Sequence, residues 1–134
     1  MKVEINFDKN FEDTIIEKHI LHNDTYVAFL QGSRMTTLNN LYNELESLLQ
    51  LPSYFGRNWN ALDECLNDFS WLPHKKIVIA INEFEKVLSE FEFDEKARSN
   101  ELEIFLDCLQ SAVNESNGIV KVYILENNVA YELI

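Results

Sequence analysis

Thr25-Tyr26-Val27-Ala28-Phe29-Leu30-Gln31 is a nearly continuous apolar run with no alternation of polar and apolar positions. Two further runs, rich in Ile and Val, occupy residues 76–81 and 119–125. A strand with one wet face alternates, whereas a strand covered on both faces does not, as in a parallel sheet between helices. Helix-period patterns lie between the three runs, which is the β–α–β arrangement of an α/β domain.

Outward from these runs, residues 37–50 place Leu38, Leu41, Leu45, Leu48 and Leu49 on one helix face. Thr36 or Thr37 supplies the N-cap and Pro52 stops the helix. A second helix is predicted over residues 59–69 with Asn58 as its cap. Its Trp59, Leu62, Cys65, Leu66 and Phe69 form the apolar side, and Asn60, Asp63, Glu64, Asn67 and Asp68 the polar side. Phe84, Val87, Leu88 and Phe91 predict a short third helix in an acidic stretch, residues 83–95, where Glu83, Glu85, Glu90, Glu92, Asp94 and Glu95 face Lys86. A fourth helix over residues 94–113 buries Leu102, Phe105, Leu106, Leu109 and Val113, and Gly118 ends the following turn. At the N-terminus, residues 2–8 alternate like a strand and residues 12–21 form a short helix, with Asn23-Asp24 as a break. Asn127-Asn128 is a tight-turn signal that returns residues 129–134 as an added edge strand.

A chain of 134 residues, 46% apolar, makes one domain spanning residues 1–134. Its apolar runs fall far short of the roughly 20 residues a membrane helix needs. Met1-Lys2-Val3-Glu4 lacks the layout of a signal peptide, which points to the cytosol. Eleven Lys and Arg face 23 Asp and Glu, a net charge of −12. Such a surface repels nucleic acid and anionic membrane, and attracts a basic protein at long range. Charge alone is better explained by simple solubility. Cys65 and Cys108, both on apolar helix sides, are expected as free, buried thiols. His19, His22 and His74 are expected at the surface, since no second pair of ligands is spaced to complete a metal site. Neither a phosphate-binding glycine loop nor a nucleophile elbow occurs, so no cofactor, metal or catalytic activity is expected.

The segment Leu51-Pro52-Ser53-Tyr54-Phe55-Gly56-Arg57-Asn58-Trp59-Asn60-Ala61-Leu62-Asp63-Glu64-Cys65-Leu66-Asn67-Asp68-Phe69 stands apart. It sets a rigid, aromatic-bearing loop directly before a helix with an acidic outer face. Aromatics beside carboxylates suit a protein-binding hot spot, the rings supplying contact area and the charges orientation. Trp59 lies on the inward side with Leu62 and Leu66, Tyr54 is expected outside, and Phe55 fits either place.

Leu51-Pro52, Tyr54-Phe55-Gly56, Asn58, Ala61-Leu62 and Leu66, with the run Arg57-Asn58-Trp59, resemble the signature of the barstar family of ribonuclease inhibitors. The resemblance extends more weakly over residues 25–125, leaving 1–24 and 126–134 as extensions. It implies a three-layer α/β fold, a small parallel sheet packed with helices, to which the two termini add edge strands. It also implies a mode of action: the loop and following helix enter the cleft of a ribonuclease, where acidic side chains stand in for RNA phosphates. Tyr54 matches the family's contacting aromatic, Asn58 the Asn at the loop's end, and Glu64 the most important family aspartate. Asn60 stands where a second Asp is usual, and Asp63 where Trp is common. Ser111 aligns with the contacting Glu of the long helix, with Asp107 as a substitute. The implied partner-binding set is Tyr54, Asn58, Trp59, Asn60, Asp63, Glu64 and Asn67. The expected function is that of a cytoplasmic, monomeric immunity protein against a basic bacterial toxin, a ribonuclease by resemblance. The alternative is an acidic adaptor on the same fold, and the competing interface is the acidic stretch 83–95.

Overall fold

A computed structural model describes residues 1–7, 10–19 and 24–134. The elements run β1 (Lys2–Ile5), α1 (Phe11–His19), β2 (Thr25–Gln31), α2 (Leu38–Leu49), α3 (Trp59–Leu66), β3 (Lys76–Asn82), α4 (Glu95–Glu115), β4 (Val120–Glu126) and β5 (Val129–Leu133), with short 3₁₀ turns at Gly32–Arg34 and Phe84–Lys86. The three apolar runs are β2, β3 and β4. They pair in parallel, and the sheet order is β1-β5-β4-β3-β2.

Alternate residues of this sheet feed two cores. Ala28, Leu30, Ile77, Ile79, Ile81, Val122 and Ile124 pack beneath α2, α3 and α4. Val78, Ala80 and Tyr123 pack against Phe11 and Ile15 of α1 on the other face. Helices on both faces explain why the strands show no wet side. Among the described residues no helix is long and apolar enough to cross a membrane.

Both terminal extensions join the sheet. Asn127 and Asn128 adopt positive φ of 50° and 66°, the geometry a two-residue hairpin turn requires, and β5 returns antiparallel to β4. β1 then pairs antiparallel with β5. The C-terminal strand, expected at an edge, is therefore interior, and the edges of the sheet are β1 and β2. Gly32 ends β2 where a Cβ would lie 1.8 Å from the Glu83 carbonyl oxygen, so only glycine permits the two chains to pass.

Four further sequence expectations are corrected. The third helix is only the turn at Phe84–Lys86, because Glu83 and Leu88 take left-handed φ of 53° and 57°. Phe84, Val87 and Leu88 are buried as expected, but in a pinned loop. The second helix ends at Leu66, three residues early, and α4 runs on to Glu115. His19 is buried, its Nε2 2.9 Å from the Tyr123 hydroxyl, so it belongs to the α1 side of the core. His22 and the ends of the alternating strand and first helix, Asp8 and 20–21, lie outside the described residues, as does Asn23 of the expected break. Cys65 and Cys108 are free and buried.

Candidate protein-binding site

The signature loop is built to hold one ring in and one ring out. The Phe55 amide closes a turn on the Pro52 carbonyl at 2.9 Å, and the Phe55 ring packs edge-on to Tyr42 in the core. Its neighbour Tyr54 is thereby thrown outward, 72% exposed. Arg57, at a positive φ of 54°, turns back onto α2. Its guanidinium donates to Glu46 Oε1 at 2.6 Å and to Asn39 Oδ1 at 2.7 Å, and lies over the Tyr42 ring. The loop's one cation is thus neutralised within the fold.

Asn58 then caps α3 as its spacing predicts: Oδ1 accepts from the Ala61 amide at 2.8 Å, and Nδ2 donates to the Gly56 carbonyl. Trp59 points inward. Its indole stacks on Phe105, meets Tyr42 edge-on, and donates its N–H to Glu101 of α4. The outer face carries exposed Asn60, Glu64 and Asn67, with Asp63 half-buried. The Asn67 side chain donates back to the Asp63 carbonyl, closing the helix. Tyr54, Glu64 and Asp68 line one depression of about 140 Å³, floored by Phe55, Ala61 and Cys65. Asp63 faces the α4 side instead.

The two buried thiols report the field of these carboxylates. Burial pushes the Cys65 thiol up, and Glu64 and Asp68 push in the same direction. Burial pushes Cys108 up to about 11, with Asp63 of α3 and Asp107 of α4 adding to it. The surface above α3 therefore carries at least four carboxylates: Asp63, Glu64, Asp68 and Asp107. The side chains of Tyr54, Asn60, Asp63 and Glu64 form no hydrogen bond or ion pair with the described residues. Among the described residues no three His, Cys, Asp or Glu side chains converge as metal ligands.

The geometry adds two acids beyond the expected set. Asp68, one turn after Glu64, was legible as part of the polar face. Glu115 was not: it is brought by the far end of α4 to a cleft of about 370 Å³ whose other wall holds Asn67 and Phe69. Ser111 is half-buried, and Asp107 is exposed.

The model of the family described as barstar (barnase inhibitor) matches residues 25–125, from the first residue of β2 to the penultimate residue of β4. No curated protein matches the chain.

Proposed function

Because the chain belongs to the barstar family, we propose that it is an inhibitor that blocks the active site of a basic nuclease, a ribonuclease by family. The observation that carries this reading is the face of α3: unpartnered carboxylates, Asp63 and Glu64, beside the outward ring of Tyr54, on a helix whose cap and flanking loop are internally braced. A nuclease cleft holds cationic groups that bind phosphate, so a rigid array of carboxylates competes for them. Tyr54 supplies the central ring, Glu64 and Asp63 the anionic contacts, and Asn60 and Asn67 neutral hydrogen bonds. Asn58 and Trp59 act by positioning, the first as the cap and the second by fixing α3 to α4. The toxin class, the immunity role against it in a bacterial cytoplasm, and action as a monomer are parts of the same proposal.

Basic ribonuclease domains mixed with the purified chain should lose RNA-cleaving activity at one-to-one stoichiometry. Association should slow steeply as salt rises while dissociation changes less, because the net charge of −12 steers encounter. A panel of such nucleases that keeps full activity, or an association rate indifferent to salt, overturns the inhibitor reading in favour of an adaptor.

A further inference from the structure

Tyr54 has a counterpart elsewhere on the surface: Phe93 is equally exposed, at 72%. It stands at the end of a segment held far more firmly than an ordinary loop. The Leu88 amide donates to the Met35 carbonyl at 2.8 Å and the Glu90 amide to the Thr36 carbonyl at 2.9 Å. From the opposite side Arg98 of α4 donates to the carbonyls of Leu88, Val87 and Glu85. The left-handed φ of Leu88 is unfavourable for a side chain of its size and persists only because these bonds over-determine it. Directly beyond this anchored stretch, the Phe91 and Phe93 rings meet at 5.3 Å. With Thr37 and Leu38 they line a groove of about 190 Å³, flanked by the exposed Glu90 and Glu92.

We propose that this tip is a second docking element, and that it takes a basic peptide segment of a protein partner in which an apolar side chain sits between lysines or arginines. The apolar side chain packs on Phe93 in the groove, and the flanking cations meet Glu90 and Glu92. Charge selects this occupant. The carboxylates of Glu90 and Glu92 have no hydrogen bond or ion pair with the described residues, whereas Lys86 is held by Glu83, and Arg98 by Glu95 and the three carbonyls. Lys96, in the first turn of α4, leaves the tip net negative. A second copy is disfavoured, because it would bring another acidic tip and another net −12 to the same place. A braced backbone loses little freedom on binding, which is the physical reason to anchor the loop behind Phe93. The inference does not rest on the α3 reading, although the first turn of α2 joins the two regions: Thr37 and Leu38 line the groove, and Asn39 holds Arg57.

The test is an amide-resolved NMR titration of the full chain with acetyl-Lys-Leu-Lys-amide, and with acetyl-Glu-Leu-Glu-amide as control. The basic peptide should shift the amides of Glu90, Phe91, Phe93 and Leu38 saturably, and added salt should weaken it. Affinity should fall roughly tenfold in Phe93→Ser and in the double variant Glu90→Gln with Glu92→Gln, and stay unchanged in Tyr54→Ser. Thermal melts of these surface variants should match the parent, which separates lost binding from lost folding. Equal shifts by the acidic peptide, no shift of these amides, or binding lost in Tyr54→Ser but kept in Phe93→Ser each overturn the proposal. The last outcome leaves the inhibitor reading standing.

Discussion

The chain has two acidic regions of similar size and opposite use. In the first, above α3, exposed Glu64 and half-buried Asp63 meet no cation of the described residues, while the loop's one cation, Arg57, is turned onto Glu46 and Asn39. In the second, residues 83–95, four of six acids are engaged in holding the fold. Glu83 binds Lys86, which lowers its carboxyl below the usual range; Glu85 accepts from the Asn127 amide; Asp94 caps α4; Glu95 binds Arg98. Equal density of charge in sequence therefore does not mean equal availability. What distinguishes a binding face is that the fold places its cations elsewhere.

Glu64 is the sharpest test of the first region. Glu64→Ala removes an exposed side chain, so stability should move by no more than about 0.5 kcal/mol. Nuclease binding should weaken by about 2–5 kcal/mol, a range informed by the barnase–barstar pair of this same family, because the opposing cation stays buried and unpaired. Asn60→Ala should cost less, since a neutral amide strands no charge. Calorimetric titration with the inhibited nuclease, beside thermal melts, reads both quantities. If Glu64→Ala binds like the parent while Glu90→Gln with Glu92→Gln abolishes nuclease binding, the two regions have exchanged roles.

Arg98 tests the opposite half of the comparison. Its side chain, 20% exposed, satisfies three loop carbonyls, so Arg98→Ala should cost about 3 kcal/mol of folding stability by urea denaturation. Affinity of the folded remainder for the nuclease should be unchanged. A neutral effect on stability would mean that the 83–95 loop is not braced by this residue.

Asn58 lies between these extremes, as a structural residue inside the binding segment. Asn58→Ala leaves the Ala61 amide uncapped and should cost about 1 kcal/mol in a urea melt, whereas Asn58→Asp should retain the cap. This residue also shows how much was legible. Caps are local, so Asn58, and Thr37 as one of two candidates, could be read from their neighbours. The buried strands were legible because covering both faces removes alternation. What failed depended on distant partners. The spacing of Phe84, Val87, Leu88 and Phe91 suits a helix, but carbonyls at Met35 and Thr36 and the guanidinium of Arg98 claim that backbone first. His19 read as a surface residue because the hydroxyl that accommodates it is 104 positions away. Within the candidate site, the α3 face followed from helix periodicity and Tyr54 from its place as a loop aromatic, while the clamp on Arg57 and the approach of Glu115 follow only from how α2, α3 and α4 pack.

The smallest expected effect is the most local reading of the first region's field. Cys108 is held at about 11 against an ordinary 9.0, first by burial and then by Asp63 and Asp107. Both states keep the thiol protonated at neutral pH, so it makes no difference to stability there. Above about 9 the unfolded thiol ionises while the folded one does not, so stability falls as pH rises toward 11, where the folded thiol itself ionises. Asp63→Asn and Asp107→Asn remove the smaller causes and leave burial in place. Each should therefore lower the Cys108 value only part of the way back, in an alkaline titration of thiolate absorbance measured on Cys65→Ala to isolate the signal. Substituting Glu90 and Glu92 should leave it unmoved. If Asp63→Asn has no effect on Cys108, the half-buried carboxylate is not charged toward α4 as described, and the claim that the α3 surface carries an uncompensated field loses its nearest internal witness.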